Sequence, residues 1–256
     1  MENKQNYTDI ELAAEKSANA VVDEFGAKYS ADGMVLFDAP KDSVSYDIRK
    51  GTKIIYDMAF LECCQSLRSV SIPDSVTTIG TGAFESCTSL QSVSIPNSVT
   101  SIGDRAFYEC KSLQSIVVPK SVTSIGDRAF YACMSLENVS ILGPVTTIEE
   151  ETFLGCESLE NISMPNTVTT IGDQAFEGCN TLQEFSIPDS VTSIGIYAFY
   201  WCLSLRSVSI PDSVTEIDKG AFFSCKSLKQ IIIPRGKRKK FEKLLPKELH
   251  PCLIEQ

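Results

Sequence analysis

The chain has one histidine in 256 residues, and it lies in the tail at His250. The body of the chain therefore has no imidazole to act as general base. That removes the common Ser–His and Cys–His nucleophile arrangements there. Positive charge is also scarce, since the net charge is −10, and a basic nucleic-acid footprint is absent. No apolar run approaches the ~18 residues of a spanning helix. The first 25 residues lack the apolar core of a signal peptide. The expected location is cytoplasmic, with the cell surface as the alternative if the chain is exported or trimmed. Ten cysteines are present but no C-x-x-C pair, the spacing that zinc and dithiol chemistry use. Gly80-Thr81-Gly82 begins like a dinucleotide loop, but Glu85 stands where the third glycine belongs. No metal, cofactor or catalytic residue is expected.

What the sequence has is a repeat. Cysteine recurs at 64, 87, 110, 133, 156, 179, 202 and 225, each step 23 residues. Leucine keeps the same step from Leu67 to Leu228, phenylalanine from Phe84 to Phe222, and isoleucine from Ile79 to Ile217. Four columns in one register specify a solenoid, in which each unit buries its apolar face only against its neighbours. The expected fold is an α/β repeat, with a parallel β-sheet, short helical turns and terminal caps.

Within one unit, residues 89–111, Val93 and Ile95 alternate with serine, the period of a half-buried strand. Pro96 ends that strand, because it has no N–H for a ladder. Val99 and Ile102 turn inward across a Ser/Thr-rich stretch. Ala106, Phe107, Cys110 and Leu113 then fall on one face of a short helical turn. The column cysteines read as small core side chains. Cys63 adjoins Cys64 at a one-residue insertion, and an exposed thiol is expected at Cys63. Asp104, Asp127 and Asp173 recur with the repeat and read as turn residues.

Tyr46, Ile48, Ile55, Ala59 and Phe60 match the next unit at a shift of 24, which extends the array forward. The expected division is a helical segment over 1–26, with its helix from about 8 to 25, and a hairpin-like cap over 27–45. A solenoid of about nine turns over 46–234 follows, then a basic cap over 235–256. The last segment has seven basic and three acidic side chains, a net of +4, leaving −14 on residues 1–234. A short helix is expected over 237–245, with Phe241, Leu244 and Leu245 on one side.

The pattern LxxVxIPxSVTxIGxxAFxxC resembles the BspA-type leucine-rich repeat family over residues 46–234. That resemblance implies a role in binding another protein, since members include surface and secreted proteins that bind host or bacterial partners. Where the commonest leucine-rich repeat has asparagine, this chain has Ser75, Ser98, Ser121, Pro144, Thr167, Ser190 and Ser213. Those hydroxyls are expected to bond neighbouring backbone groups. The expected function is a non-catalytic protein-binding module, an intracellular scaffold. The alternatives are an exported adhesin and, third, a thiol redox or metal-binding protein. The partner is a protein, with no nucleic acid or membrane insertion, and the chain is expected to be a monomer.

Two sets of residues are candidates for contacting that partner. One is a column flanking the strands: Arg68, Gln91, Gln114, Glu137, Glu160, Gln183, Arg206 and Lys229. Its basic ends enclose an acidic middle, which can orient a partner. The other is an aromatic group, Tyr197, Tyr200, Trp201 and Phe223. Such side chains serve as interface anchors; equally, they could pack beneath the C-terminal cap.

Overall fold

The computed structural model describes residues 17–256. The chain winds into a parallel β-solenoid of about ten coils. The first segment of each coil is a short strand in which valine or isoleucine, or an aromatic at Tyr46 and Phe185, faces inward and mostly serine or another polar residue faces outward. These strands stack in register, as in Tyr46↔Val70, Ile116↔Val139 and Val208↔Ile231. Past the proline bend the chain forms a second strand of two residues. Ile79, Ile102 and Ile125 pair parallel in that second column, as do Ile148, Ile171, Ile194 and Ile217. The inward turn expected at Ile102 is thus a ladder of its own. Between the second strand and the third segment the coils come so close that a side chain does not fit. A Cβ on Gly103 would lie 2.7 Å from the Gly80 carbonyl carbon.

The third segment differs from an α-helix in its backbone. In successive coils one residue before and one after each phenylalanine turn left-handed, with φ of +54° at both Arg105 and Glu109 and +57° and +51° at Arg128 and Ala132. Amides then alternate in direction. Ala106, Tyr108 and Cys110 donate back three residues within their own coil, while Arg105, Phe107 and Glu109 donate to Asp127, Ala129 and Tyr131 of the next coil. The helix-like spacing of apolar residues survives because each short turn still points every third or fourth side chain inward.

Phenylalanine rings fill the centre as a continuous stack from Phe60 to Phe222, with centroid separations of 4.5 to 5.5 Å. Phe153, at mid-stack, is 5.5 Å from both neighbours. Beside the rings the column cysteines from Cys110 to Cys225 donate their S–H to a phenylalanine carbonyl of the preceding coil, as Cys133 does to Phe107 and Cys156 to Phe130, both at 3.2 Å. The insertion works against the expectation for Cys63. Phe60 and Cys63 are three residues apart, as are Phe84 and Cys87, so Cys63 takes the buried column position. Cys64 is the extra residue and is half-buried.

The hydroxyl column is only partly bonded. Thr167 and Ser190 donate to Val145 and Val168 carbonyls at 2.7 and 2.6 Å. The hydroxyls of Ser98, Ser121 and Ser213 are buried with no partner among the described residues.

The front of the stack is a small antiparallel sheet: β1 (Val21–Val22), β2 (Lys28–Tyr29) and β3 (Val35–Asp38). β3 also pairs parallel with Ile54–Ile55 and so begins the second strand column. The helix expected over 8–25 lies outside the described residues up to 16. From 17 onward the chain forms a 3-10 turn, Ser17–Asn19, and then β1. Val21 and Val22 there are β-branched and pair with β2, which overrides the helical periodicity. At the back, α1 (Arg238–Leu244) buries Phe241, and Leu245 just beyond it is buried too. The final residues Leu253–Glu255 return as a parallel strand beside Gln230–Ile233 and close that edge. Asp212 ties the tail down through Lys237 at 2.6 Å and Lys240 at 3.1 Å.

Candidate partner-binding site

The residues that follow each core phenylalanine leave the coil outward, so the stacking of coils sets them side by side. Tyr108 and Tyr131 stack at 4.5 Å with planes 7° apart, and the Arg105 guanidinium lies 5.4 Å from the Tyr108 ring centre. Farther along, Tyr200 stacks on Trp201 at 5.4 Å and on Phe223 at 5.9 Å, and it lies 5.2 Å from Tyr197. Tyr197, Trp201 and Phe223 are 43%, 53% and 63% exposed. Ile196 and Leu203, nearby in sequence, are exposed as well. The tail helix and its following loop leave this ridge in solvent, so the structure does not bury the aromatic group beneath the cap.

The backbone under the ridge is the same alternating turn that the other coils use. Tyr197 and Trp201 hold left-handed φ values of +54° and +58°, a region that bulky side chains seldom adopt. In the two preceding coils glycine occupies the place of Trp201, at Gly155 and Gly178. Ser86, Glu109, Ala132 and Ser224 hold the same left-handed place in other coils, so the turn itself sets this backbone, and Trp201 is set apart by its size and exposure. The Tyr197 ring also lies over Gly220, where a Cβ would come within 2.5 Å of its Cε1.

The charged column occupies a different segment, between the turn and the first strand. All eight members are exposed. They form a physical line, since Gln91 donates its amide to Arg68, Gln114 to Gln91, Glu137 to Gln114 and Lys229 to Arg206. The two sets of candidates are therefore separate surfaces.

The cysteines and acids have structural explanations. Burial pushes the thiol of Cys63 up to about 11 and that of Cys133 up to about 12, and raises Cys87, Cys110, Cys156, Cys179 and Cys202 as well. Thiols held neutral are poor nucleophiles and ligands. Among the described residues no group of three or more His, Cys, Asp or Glu is placed to hold a metal ion. Asp57, Asp104 and Asp173 accept the amides of Thr81, Asp127 and Ile196 at 2.7 to 3.1 Å, bracing one coil on the next. Burial, then neighbouring acids, raises the carboxyls of Asp127 and Glu149. Arg128 spans Glu150 and Glu151 at 2.8 Å and holds Glu151 below its ordinary value.

The left-handed turn leaves only scattered glycines, Gly155 and Gly178 among them, as its trace in the sequence, and the insertion at Cys64 shows only in the three-residue spacing from Phe60 to Cys63. The exposed aromatics themselves are visible as breaks in column uniformity.

A family model described as BspA type Leucine rich repeat region, in six copies, matches residues 53–180 and 146–244. Solved structures with the same fold include a leucine-rich repeat protein from Bacteroides ovatus, 29% identical, with a TM-score of 0.60 over 84% of this chain and 63% of that one. Another, from Eubacterium ventriosum, is 27% identical with a TM-score of 0.64, covering 81% of this chain and 50% of that one. A leucine-rich repeat protein of T. pallidum is 27% identical with a TM-score of 0.59, covering 87% and 94%. The chain thus spans less than two thirds of the first two. No curated protein matches it.

Proposed function

Because this chain belongs to the BspA-type leucine-rich repeat family, we propose that it is a protein-binding module that grips its partner through the ridge of Tyr197, Tyr200, Trp201 and Phe223. Leucine-rich repeat proteins are in general scaffolds for protein interactions, and catalytic activity forms no part of this proposal. The observation that carries the reading is Trp201. It is a large, half-exposed aromatic in a left-handed position that the other coils give to glycine or to the smaller side chains of Ser86, Glu109, Ala132 and Ser224. Exposed stacked aromatics lose little entropy on binding and bury large areas, which makes them anchors.

The charged column Arg68 to Lys229 is proposed as the orienting surface, with basic ends and acidic Glu137 and Glu160 between them. Among the described residues no helix is long and apolar enough to cross a membrane. Neither the fold nor the relatives of this chain supports the cytoplasmic placement expected from sequence, and the proposal concerns the binding surface alone.

The test is paired affinity capture from the native lysate with the wild-type chain and the Tyr200→Ser/Trp201→Ser variant. A protein retained by the first and lost by the second, at equal melting temperature, supports the ridge. Equal capture by both removes it.

A further inference from the structure

The third segment of the solenoid has a property that the two strand columns lack. Parallel strands exchange N–H and C=O groups in both directions, so their dipoles largely cancel. In the third segment the backbone bonds between coils run one way. Gly82, Phe84 and Ser86 donate to Asp104, Ala106 and Tyr108, and the pattern repeats until Phe199 donates to Ala221 and Trp201 to Phe223. The alternate amides that bridge coils all point toward the C-terminal end, and the carbonyls that accept them point toward the front. Peptide dipoles aligned in this way add, as they do along a helix, and leave partial positive charge at the amide end.

That end is not closed. The equivalent amides of the last coil belong to Gly220, Phe222 and Ser224. Gly220 turns back to its own coil's Asp218 at 3.3 Å. The amides of Phe222 and Ser224 have no acceptor among the described residues. Ser224 is left-handed at φ +62°, and successive amides around such a residue form a concavity that attracts anions. Phe222 and Ser224 both line a cavity of about 410 Å³. Lys219 and Lys226 line it, with Glu248 as the one opposing carboxylate, and Phe223, Pro246 and Leu249 form an apolar wall.

We propose that this cavity captures the C-terminal carboxylate of a protein partner whose last side chain is apolar. The terminal carboxylate takes the two open amides, where ionised acceptors bond most strongly, and it is neutralised by the two lysines. The last side chain packs against Phe223 and Leu249. Terminal carboxylates are captured by backbone concavities of this type elsewhere. The inference rests on the protein-binding reading and deepens it, because Phe223 belongs both to the cavity and to the ridge.

The test uses the full chain labelled with nitrogen-15 and two probes, the acetylated peptide Gly-Ala-Gly-Ala-Phe with a free C-terminus and the same peptide as its amide. The free acid is expected to shift the amide signals of Phe222 and Ser224 saturably, and the amide to bind at least about tenfold more weakly. Lys219→Glu/Lys226→Glu should weaken the free acid by a similar factor. Peptide binding read at Phe222 and Ser224 is independent of partner capture by the ridge, which keeps failure of the ridge separate from failure of the cavity. Equal binding of acid and amide, or shifts centred on Trp201, would overturn the proposal. So would sodium acetate acting as strongly as the peptide at the same concentration, since the site would then read an anion and no peptide.

Discussion

At the scale of the residue, the solenoid turns on side chains that see the same neighbours above and below. Phe153 is fully buried between Phe130 and Phe176, and a truncation there opens a void that neither flanking ring can close without leaving its own stack. Phe153→Ala is expected to cost about 3 to 5 kcal/mol in chemical denaturation. A loss under about 1 kcal/mol, the size of a surface change, would mean that the stack is not the core. The same columns made the core readable from sequence, because any side chain repeated every 23 residues on an inward position must be packed against its own copies. Cys63 and Cys64 were read in reverse for a physical reason. Two adjacent thiols compete for one column, and only the three-residue spacing from Phe60 says which one faces in. The cysteine S–H bond to the preceding coil's carbonyl was not readable at all, since sequence shows a small side chain and not its donor.

At the scale of the element, the turn ladder is the part of the fold that sequence conceals. Apolar residues at i, i+1 and i+4 fit a right-handed helical turn and an alternating right- and left-handed turn equally well. Glycines at 155 and 178 are the trace it leaves. Two substitutions separate backbone strain from close approach. A Cβ on Gly178 has nothing nearer than 3.7 Å, so Gly178→Ala should cost only the left-handed penalty, about 1 kcal/mol. A Cβ on Gly143 would collide with the Val122 carbonyl oxygen, so Gly143→Ala should cost about 2 to 3 kcal/mol by forcing two coils apart. Melting curves of the two variants give the comparison, and equal losses would contradict the close stacking of coils at 143. The final strand, Leu253–Glu255, was likewise invisible, because a single strand lent by the tail has no period.

At the scale of the whole molecule, the buried thiols make stability depend on alkali. A free thiol ionises near 9.0, while burial holds these well above that value, Cys133 at about 12. Below about pH 9 both the folded and unfolded chains carry neutral thiols, and the contribution is fully present. As pH rises further the unfolded chain ionises first, so stability falls until the folded thiols ionise as well. Each buried thiol withdraws about 1.4 kcal/mol per pH unit in that window, and the stack holds several. Urea midpoints should therefore drop steeply from about pH 9 to 10, and Cys133→Ala should make the slope shallower. A flat profile over that range would show that the thiols are hydrated in the folded chain.

Function also belongs to this scale, since the candidate surfaces span several coils. The charged column and the aromatic group were both legible as side chains. Their separation, and the open amides at the end of the ladder, were not, because these depend on how coils stack. The ridge is the central claim, and titration calorimetry of the captured partner into the wild-type chain and into Tyr200→Ser/Trp201→Ser tests it most directly. The account predicts a loss of about 2 kcal/mol or more in binding free energy with an unchanged melting temperature. Equal affinity for both chains would contradict it.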